Sequence, residues 1–356
     1  MTDAPADLRP VIRRLVARSD LSDAEVAGAL DAILGGQAGE GAIAAFLVAL
    51  AMKGEKPSEI RAILQSVRSH ATRITPKVSG LLIDTCGTGG DSIRTFNVST
   101  AAAVIAAAAG AKVAKHGNRS VSGPCGSADF LEYVGLDLGA PPEKVQNCIE
   151  KTGIGFLFAP AFHPSMKNVA PARKAIGIRT VFNLVGPLSN PCTNIGGQVI
   201  GVFEPSLLET LAEVCTGYIN EAMIVHAADG FDELSNTCEN DIIWVTGGQL
   251  KRLRLSPRVL GVSPARAEQL VVNSRDDSVK TTLQVIYGKA PTEKEDMAVM
   301  NAAAALAVGK VAADLKDGVA MARQAIRDGR AKEKLAQLIK NCGDLEKLSQ
   351  AEKKFL

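Results

Sequence analysis

An apolar run that leads directly into a cluster of glycines constrains this chain more than any other feature. Residues 81–83 (LLI) precede residues 87–90 (GTGG), and an alanine-rich segment follows at residues 97–110. This order predicts a strand, a glycine loop and a helix. Three glycines within four positions let the backbone approach a ligand closely, and Ser99 or Thr100 is expected to cap the helix. A helix start beside a glycine loop indicates a phosphate-binding site.

The charge around this loop points to the same kind of ligand. Residues 92–128 contain no Asp or Glu, although 38 of the 356 residues of the chain are acidic. The window does contain basic side chains, at Arg94, Lys112, Lys115 and Arg119. A glycine-lined pocket surrounded by one sign of charge favours a polyanionic small molecule.

The loop does not match the two commonest phosphate-binding motifs. No Gly-Lys-Ser/Thr follows four residues after a glycine, so the loop is not a P-loop. Position 92 is Ser, and no acidic residue lies about twenty residues further on to hold a ribose, so the dinucleotide-binding fingerprint is also excluded. The glycine loop therefore predicts an anion site of a different kind.

Several further motifs are similar to those of the anthranilate phosphoribosyltransferases. They follow one another as GTGGD (residues 87–91), FNVST (96–100), AKHGNRSVS (114–122), GSAD (126–129), a long segment at 156–191, and DGFDELS (229–235). The similarity covers roughly residues 8–325 in the family's order and spacing. Several independent motifs make it far more specific than a lone glycine loop.

The resemblance implies a reaction. In this family the amine of anthranilate displaces pyrophosphate from C1 of phosphoribosyl pyrophosphate (PRPP), giving N-(5-phosphoribosyl)anthranilate in tryptophan biosynthesis. The expected chemistry is a Mg²⁺-assisted displacement with an oxocarbenium-like transition state and no covalent enzyme intermediate. Positioning and charge stabilisation would supply most of the catalysis.

The resemblance also implies the site residues. PRPP would be bound by Gly87, Thr88, Gly89, Gly90, Asp91, Thr95, Asn97, Ser99, Thr100, Lys115, Asn118, Arg119 and Ser127. Anthranilate would be bound by Gly87, His116, Asn118, His163 and Arg173. The implied Mg²⁺ ligands are Ser99, Asp232 and Glu233. Hard oxygen donors suit Mg²⁺, and a guanidinium fork suits the anthranilate carboxylate. His116 and Arg173 are expected to position the substrates.

The chain as a whole predicts an α/β protein with a small helical N-terminal domain. Residues 1–75 show helical signals without a strand, including a capping box at residues 22–25 that starts a helix ended by Gly35-Gly36. From residue 81 onwards strands alternate with helices, which indicates a largely parallel central sheet. The resemblance implies a class II-like phosphoribosyltransferase or nucleoside phosphorylase plan.

The expected boundaries follow from this alternation. The helical domain covers residues 1–75 and is joined by a returning segment at about 164–190, with the active site in a cleft between the domains. The α/β domain covers 76–163 and 191–356. Its strands are expected at 81–85, 112–115, 198–203, 222–226 and 242–245. Its helices are expected at 142–151, 206–219, 293–308 and 319–338. The charged C-terminal tail is expected to fray.

Composition excludes several other classes of protein. Aromatic residues make up only 4% and the net charge is +2, which argues against a nucleic-acid-binding surface. The longest apolar run, 101–109, is too short to span a membrane, and no signal peptide is evident. The seven cysteines never form a C-x-x-C pair, which favours reduced thiols in a cytoplasmic protein. The resemblance further implies a homodimer.

One cysteine departs from the family pattern. Cys125 stands where the family has a small hydroxyl residue. A nucleophilic role is disfavoured because the implied reaction needs no covalent intermediate. The turn after His226 also departs from the family, because alanines replace the usual glycine there.

Three alternatives stay open from the sequence. A related phosphoribosyltransferase could use another acceptor, because Arg173 would bind any carboxylate. A pyrimidine nucleoside phosphorylase would share the helical and α/β plan and the phosphate-binding loop. A paralogue without activity could bind nucleic acid, although the absence of basic runs argues against it.

Overall fold

The structure, a computed structural model, describes residues 6–89, 94–120 and 123–356. The strands are β1 (Leu82–Gly87), β2 (Lys112–Gly117), β3 (Ile154–Phe158), β4 (Ile195–Gly201), β5 (Glu221–Ala227), β6 (Asn240–Thr246) and β7 (Gln249–Leu255). The α-helices are α1 (Arg9–Val16), α2 (Asp23–Leu34), α3 (Glu40–Lys53), α4 (Pro57–Ser69), α5 (Val98–Ala108), α6 (Ser127–Tyr133), α7 (Pro142–Thr152), α8 (Ala159–Phe162), α9 (Ala170–Ile176), α10 (Val181–Leu188), α11 (Leu207–Thr216), α12 (Ala267–Leu270), α13 (Arg275–Ile286), α14 (Thr292–Val308), α15 (Leu315–Arg327), α16 (Arg330–Cys342) and α17 (Leu345–Phe355). Short 3-10 helices cover Pro164–Asn168 and Pro257–Leu260.

The chain divides into two compact units. The first contains Met1–Arg73 and Pro160–Pro191, and the second contains Ile74–Ala159 and Cys192–Leu356. These units are defined by contacts within the chain. The domain boundaries that the sequence predicts, residues 1–75 with 164–190 and residues 76–163 with 191–356, remain a prediction.

The first unit is built from helices. The capping box of α2 is present as predicted, because the Ser22 hydroxyl accepts from the Glu25 N–H, and Gly35 ends the helix. A buried ion pair joins α3 to α4, with Lys53 Nζ 2.8 Å from Glu59 Oε2. Glu59 also accepts from the Leu21 N–H at 2.9 Å, so its charge is well satisfied despite complete burial. These contacts tie the helices around an apolar core.

The second unit is built on a seven-stranded sheet with the order β3-β2-β1-β4-β5-β6-β7. The first five strands in this order pair in parallel, and β6 and β7 add an antiparallel edge. The predicted α/β class, with a helical N-terminal region and a largely parallel sheet, is therefore confirmed. The five predicted strands correspond to β1, β2, β4, β5 and β6.

The sequence analysis missed β3 and β7. The short β3 follows directly after α7 and has no alternating pattern. The edge strand β7 is mostly polar and exposed, so it lacks the apolar signal of a buried strand. Its hairpin had a usable signal, because Gly247 and Gly248 both have positive φ and form the two-residue connection from β6.

Two helical predictions near the C-terminus were wrong. The helix expected over residues 319–338 is two helices, α15 and α16, separated at Gly329 with a φ of 76°. The tail expected to fray forms α17, whose Leu348 and Ala351 side chains are buried. An ion pair of 2.7 Å between Lys354 Nζ and Asp276 Oδ2 holds it against α13. Amphipathic packing therefore outweighs the high charge of the tail.

The alanine-rich helix α5 lies at the centre of the second unit. Its residues from Val98 to Ala107 are almost all buried, and it packs against β1, β2, α14 and α16. Small side chains let these neighbours approach closely, which explains the composition of the segment. Within the described residues, no helix is both long enough and apolar enough to cross a membrane.

Candidate active site

The sheet order places a crevice at the ends of β1 and β4. The chain runs from β1 to β2 and β3 on one side, and continues from β4 to β5 on the other. The two strands are parallel neighbours, and their last residues, Gly87 and Gly201, lie side by side. In open α/β sheets, ligands bind at the carboxyl ends of the strands where the order reverses. The predicted glycine loop begins at this point.

Two glycines are required there because another segment approaches them. A Cβ added to Gly87 would lie 2.1 Å from Asp232 Oδ2, and one added to Gly201 would lie 1.4 Å from the Asp232 carbonyl oxygen. The Thr88 N–H donates to the Gly201 carbonyl at 2.9 Å. The segment around Asp232 is thus packed directly over the strand ends.

The two adjacent carboxylates accept hydrogen bonds from the loop and the helix start. Asp232 Oδ2 accepts from the Gly89 N–H at 2.7 Å, across 143 positions of sequence. Glu233 Oε1 accepts from the Ser99 N–H at 3.0 Å. These backbone groups therefore do bind anionic oxygens, as a glycine loop beside a helix N-terminus should. In the structure the oxygens are the protein's own.

The capping prediction for α5 was wrong. The helix begins at Val98, and its N-cap residue, Asn97, makes no side-chain cap hydrogen bond. Ser99 and Thr100 lie inside the first turn, so their hydroxyls are not in a capping position. The Glu233 carboxylate supplies the cap acceptor from a distant loop instead.

Lys115 is buried at the end of β2, beside Ser99. Its Nζ donates to the Thr85 carbonyl at 2.5 Å and to Ser99 Oγ at 3.3 Å. Burial lowers the pKa of Lys115, while the charges of Asp84 and Glu233 act in the opposite direction. The ammonium group is thus held near the loop with only 4% of the residue exposed.

Two other residues that were predicted to bind PRPP have protein partners. The Asn97 side-chain amide donates to Ser278 Oγ at 3.2 Å, and Thr95 forms an isolated bridge with Val271. The Thr100 hydroxyl is buried. The predicted positions Gly90 and Asp91 lie outside the described residues.

The loop after β2 has its own network. Ser127 Oγ donates to the Asn118 carbonyl at 3.2 Å. The Arg119 guanidinium donates to Glu132 Oε2 at 2.7 Å and to Asp129 Oδ1 at 3.1 Å, and these carboxylates raise its pKa. The acid-free window ends one residue before Asp129. Its positive charge at Arg119 is therefore compensated in the fold.

His163 and Arg173 lie in the first unit, whereas Gly87, His116 and Asn118 lie in the second. Burial lowers the pKa of His163 to about 4, partly opposed by a hydrogen bond with the Ser189 backbone. Arg173 lies on α9 with its guanidinium carbon 5.6 Å from the Phe182 ring centroid. Burial lowers its pKa.

A first prediction concerns this neutral histidine. The unfolded chain binds a proton near pH 6.5 but the folded His163 only near pH 4, so the free energy of unfolding should fall as pH decreases through this window. We expect His163→Gln to remove up to about 3 kcal/mol of that loss. Hydrogen exchange of the first unit at pH 7.5 and 4.5 measures it. His70→Gln, at a half-exposed ring, is the matched control, and identical pH dependence in all three proteins would contradict the assignment.

Sequence reasoning missed two residues that shape the site. Asn301 on α14 accepts from the Leu234 N–H at 3.0 Å and donates to its carbonyl at 2.8 Å, so it braces the segment after Glu233. Asp84 is fully buried in β1, where its Oδ1 accepts from the His116 N–H at 3.1 Å. A single polar residue inside a buried apolar strand or helix was the signal in both cases.

The hard oxygen donors at this crevice fit a divalent cation. Ser99, Asp232 and Glu233 offer one hydroxyl and two carboxylates, the ligand types that Mg²⁺ prefers. Across the described parts of the chain, no group of three or more His, Cys, Asp or Glu side chains could hold a metal ion. The donor set therefore suits an ion that completes its shell with water and substrate oxygens.

Cys125 does not have the features of a nucleophile. Burial raises the pKa of its thiol, although contacts with Asn97 and Ser278 partly oppose this. In the turn after His226, Gly230 has a φ of 90° and donates to the Ala227 carbonyl at 2.8 Å. The departures from the family pattern thus leave the carboxylate segment in place.

Comparison with known proteins identifies the class that this fold and site define. Residues 79–332 match the model described as "Glycosyl transferase family, a/b domain", and residues 9–71 match "Glycosyl transferase family, helical bundle domain". The chain therefore belongs to this glycosyl transferase family. The match to the α/β-domain model runs through Pro160–Pro191, which belong to the first compact unit.

The relatives give the particular enzyme. An anthranilate phosphoribosyltransferase of Acetivibrio thermocellus is 43% identical over 93% of this chain and 96% of its own length. One from Methanocorpusculum labreanum is 44% identical over 92% and 96%. The chain is accordingly an enzyme of the anthranilate phosphoribosyltransferase family, and the resemblance in its motifs is confirmed.

Solved structures agree with this assignment. The crystal structure of the Thermus thermophilus anthranilate phosphoribosyltransferase has a TM-score of 0.87 and 36% identity, covering 93% of this chain and 98% of that one. The Saccharomyces cerevisiae enzyme in complex with PRPP and Mg has a TM-score of 0.86 and 26% identity, covering 94% and 97%.

Proposed function

We propose that this enzyme transfers the phosphoribosyl group of PRPP to the amine of anthranilate, with release of pyrophosphate and with Mg²⁺ as cofactor. The supporting observation is the crevice at Gly87 and Gly201, where backbone N–H groups already hold two carboxylates. A ligand rich in phosphate oxygens suits those N–H groups, and the carboxylates released from them suit a divalent cation.

On the donor side, the protein binds and orients the polyanion. The Gly89 and Ser99 N–H groups exchange the carboxylates of Asp232 and Glu233 for substrate oxygens. Lys115 keeps a positive charge beside them, and Asn118, Arg119 and Ser127 border the sugar end. The remaining proposed donor contacts are Gly87, Thr88, Gly90, Asp91, Thr95, Asn97 and Thr100.

Ser99, Asp232 and Glu233 would hold the metal ion. When bound, Mg²⁺ neutralises the charge that develops on the departing pyrophosphate. Asn301 keeps the carboxylates in place by binding both backbone groups of Leu234. Asp84 fixes the strand ends around the crevice by its hydrogen bond to the His116 N–H.

On the acceptor side, we propose that Gly87, His116, Asn118, His163 and Arg173 bind anthranilate. The aromatic amine is already neutral at pH 7, so the reaction does not require a strong base. His116 therefore acts in positioning. His163 is neutral in its buried position and adds no charge that would compete with Arg173.

Replacement of Arg173 tests the acceptor site. We expect Arg173→Ala to raise the KM for anthranilate about tenfold or more and to leave the KM for PRPP nearly unchanged, because a two-point contact to the carboxylate is lost. Arg173→Lys retains the positive charge but not the forked guanidinium group, so its KM for anthranilate should lie between those of the wild type and Arg173→Ala. An unchanged dependence of rate on anthranilate concentration would contradict the role.

The reaction itself is tested by loss of anthranilate fluorescence with PRPP and Mg²⁺, and then with each component omitted. Turnover that needs all three components supports the proposal. Stabilisation by PRPP without turnover would favour a phosphoribosyltransferase with another acceptor, and phosphorolysis of a nucleoside would favour the phosphorylase alternative. Salt-dependent retention on DNA would favour the nucleic-acid alternative.

We further propose that the enzyme is a cytoplasmic homodimer. Two large apolar side chains of the helical unit, Val16 and Met52, are 71% and 68% exposed, which favours a protein partner there. The seven cysteines form no disulfide in the described parts of the chain, which suits a reducing compartment. Light scattering of the purified protein tests the dimer, and a monomer mass at micromolar concentration would exclude it.

A further inference from the structure

Away from the candidate active site, the second unit brings two cysteine side chains together. Cys148 lies in α7 and Cys342 is the last residue of α16, almost two hundred positions further along the chain. The two helices pack against each other, and both side chains are nearly fully buried. Cys342 Sγ donates to the Lys144 carbonyl at 3.6 Å, one helical turn before Cys148 in α7, which places the two thiols close together. Neither residue belongs to the proposed donor or acceptor sites.

We propose that Cys148 and Cys342 form a reversible disulfide, a redox-controlled cross-link between α7 and α16. The contact of Cys342 with the Lys144 carbonyl already holds its sulfur against the turn of α7 that leads to Cys148, so oxidation needs no separation or refolding of the helices. The side chains belong to the two ends of a long chain segment, so a cross-link here would restrict the whole of the second unit.

The surroundings of Cys148 and Cys342 indicate which sulfur reacts with an oxidant and which sulfur then closes the disulfide. Cys148 Sγ lies 3.4 Å from the Ile154 carbonyl and 3.7 Å from Thr152 Oγ1, and the nearby Cys342 thiol is the main cause of a lowered Cys148 pKa. Lys144 and Lys334 act in the same direction, against burial. The pKa of Cys342 is raised. Cys148 contributes to the wall of a pocket and Cys342 does not, so Cys148 is the sulfur that meets an oxidant and Cys342 is the resolving one.

A pocket gives a small oxidant access to Cys148. Its volume is about 350 Å³. Cys148 contributes to its wall together with Lys144, Asn147 and Asn341. The wall also contains Lys151 and the carboxylate of Glu143, so polar groups of both charges face a small polar oxidant. We take a hydroperoxide as the co-reactant, because it fits such a space and oxidises thiolates.

The steps balance with one hydroperoxide. The Cys148 thiolate attacks the outer oxygen, the O–O bond breaks, and the leaving oxygen takes a proton, so Cys148 becomes a sulfenic acid. The Cys342 sulfur then attacks the Cys148 sulfur, the S–S bond forms, and the S–O bond breaks with loss of water as the Cys342 proton is taken up. The two thiols together lose two electrons, and the peroxide gains these two electrons.

The cross-link should change stability more than activity. It closes a loop of nearly two hundred residues, which restricts the unfolded chain strongly in the loop-closure model. Because α16 packs against the central helix α5, the tether also resists opening of the core. We therefore expect the oxidised protein to melt several degrees higher than the reduced protein.

Peptide mapping of the intact wild-type chain is the test. The protein is treated with hydrogen peroxide, unreacted thiols are alkylated, and the digest is analysed by mass spectrometry without reduction. We expect a cross-linked pair of peptides containing Cys148 and Cys342, lighter by two hydrogen atoms and separated by a dithiol reductant. Cys148→Ala and Cys342→Ala should each abolish the rise in melting temperature, whereas the half-buried control Cys238→Ala should retain it.

Two outcomes would overturn the proposal. One is alkylation of both Cys148 and Cys342 after treatment that has oxidised Cys86, Cys125 or Cys238. The other is a melting-temperature rise that persists in both alanine variants of the pair. The mapping needs no variant, so a folding defect in a mutant cannot obscure the result.

Discussion

Conversion of both Asp232 and Glu233 to their amides is expected to lower kcat/KM by about a thousandfold or more. The amides would bind Mg²⁺ poorly, so the negative charge that develops on the departing pyrophosphate would no longer be neutralised. Asn and Gln still offer a side-chain oxygen to the Gly89 and Ser99 N–H groups, so the fold of the crevice should survive. The loss should therefore be in Mg²⁺-dependent turnover and not in stability. Initial rates across a Mg²⁺ titration, with melting temperatures beside them, measure this.

A control with the same change of net charge isolates the site. Glu209→Gln with Glu213→Gln alters two exposed residues of α11, one of which pairs with Arg252 at the surface. We expect this control to keep nearly full activity, since exposed pairs contribute little. Full activity in the Asp232 and Glu233 double variant would show that the metal is held elsewhere.

A single methyl group at Gly201 is expected to have the second large effect. Its Cβ would lie 1.4 Å from the Asp232 carbonyl oxygen, a backbone atom that cannot rotate away. The segment that holds both carboxylates must shift, so Gly201→Ala should lower kcat/KM about a hundredfold and destabilise the protein by about 3 kcal/mol. Urea unfolding and initial rates measure the two effects separately.

Gly28→Ala is the matched control for this substitution. Gly28 lies inside α2, and nothing lies within 4 Å of an added Cβ there. Alanine in a helix interior should stabilise by about 1 kcal/mol relative to glycine. If Gly201→Ala were as active and stable as Gly28→Ala, the close packing of the Asp232 segment could not be required for catalysis.

Local pattern was sufficient for much of the fold. The capping box before α2, the apolar strands that alternate with helices, and the glycine loop before α5 are each determined by neighbouring residues, so the sequence predicts them. β7 was missed because an edge strand buries little apolar surface. The break at Gly329 was missed because the apolar pattern continues on both sides of it.

The candidate site shows the same division between local and distant effects. The sequence identified the glycine loop and the Asp-Glu pair as separate features. It could not show that Glu233, and not Ser99 or Thr100, caps α5, because the partners are 134 positions apart. It also could not show that the Glu132 carboxylate compensates the positive charge of Arg119, because Glu132 comes within reach only when α6 forms.

The sequence by itself therefore determined the class of protein, its α/β plan, the glycine loop after the first strand and its family, because these depend on short motifs and periodic patterns. Only the tertiary structure decided which groups meet. The carboxylates on the loop amides, the neutral buried His163 and the neighbouring thiols of Cys148 and Cys342 all depend on distant segments packing together. Burial and contact, which set charge and reactivity, are properties of the folded chain.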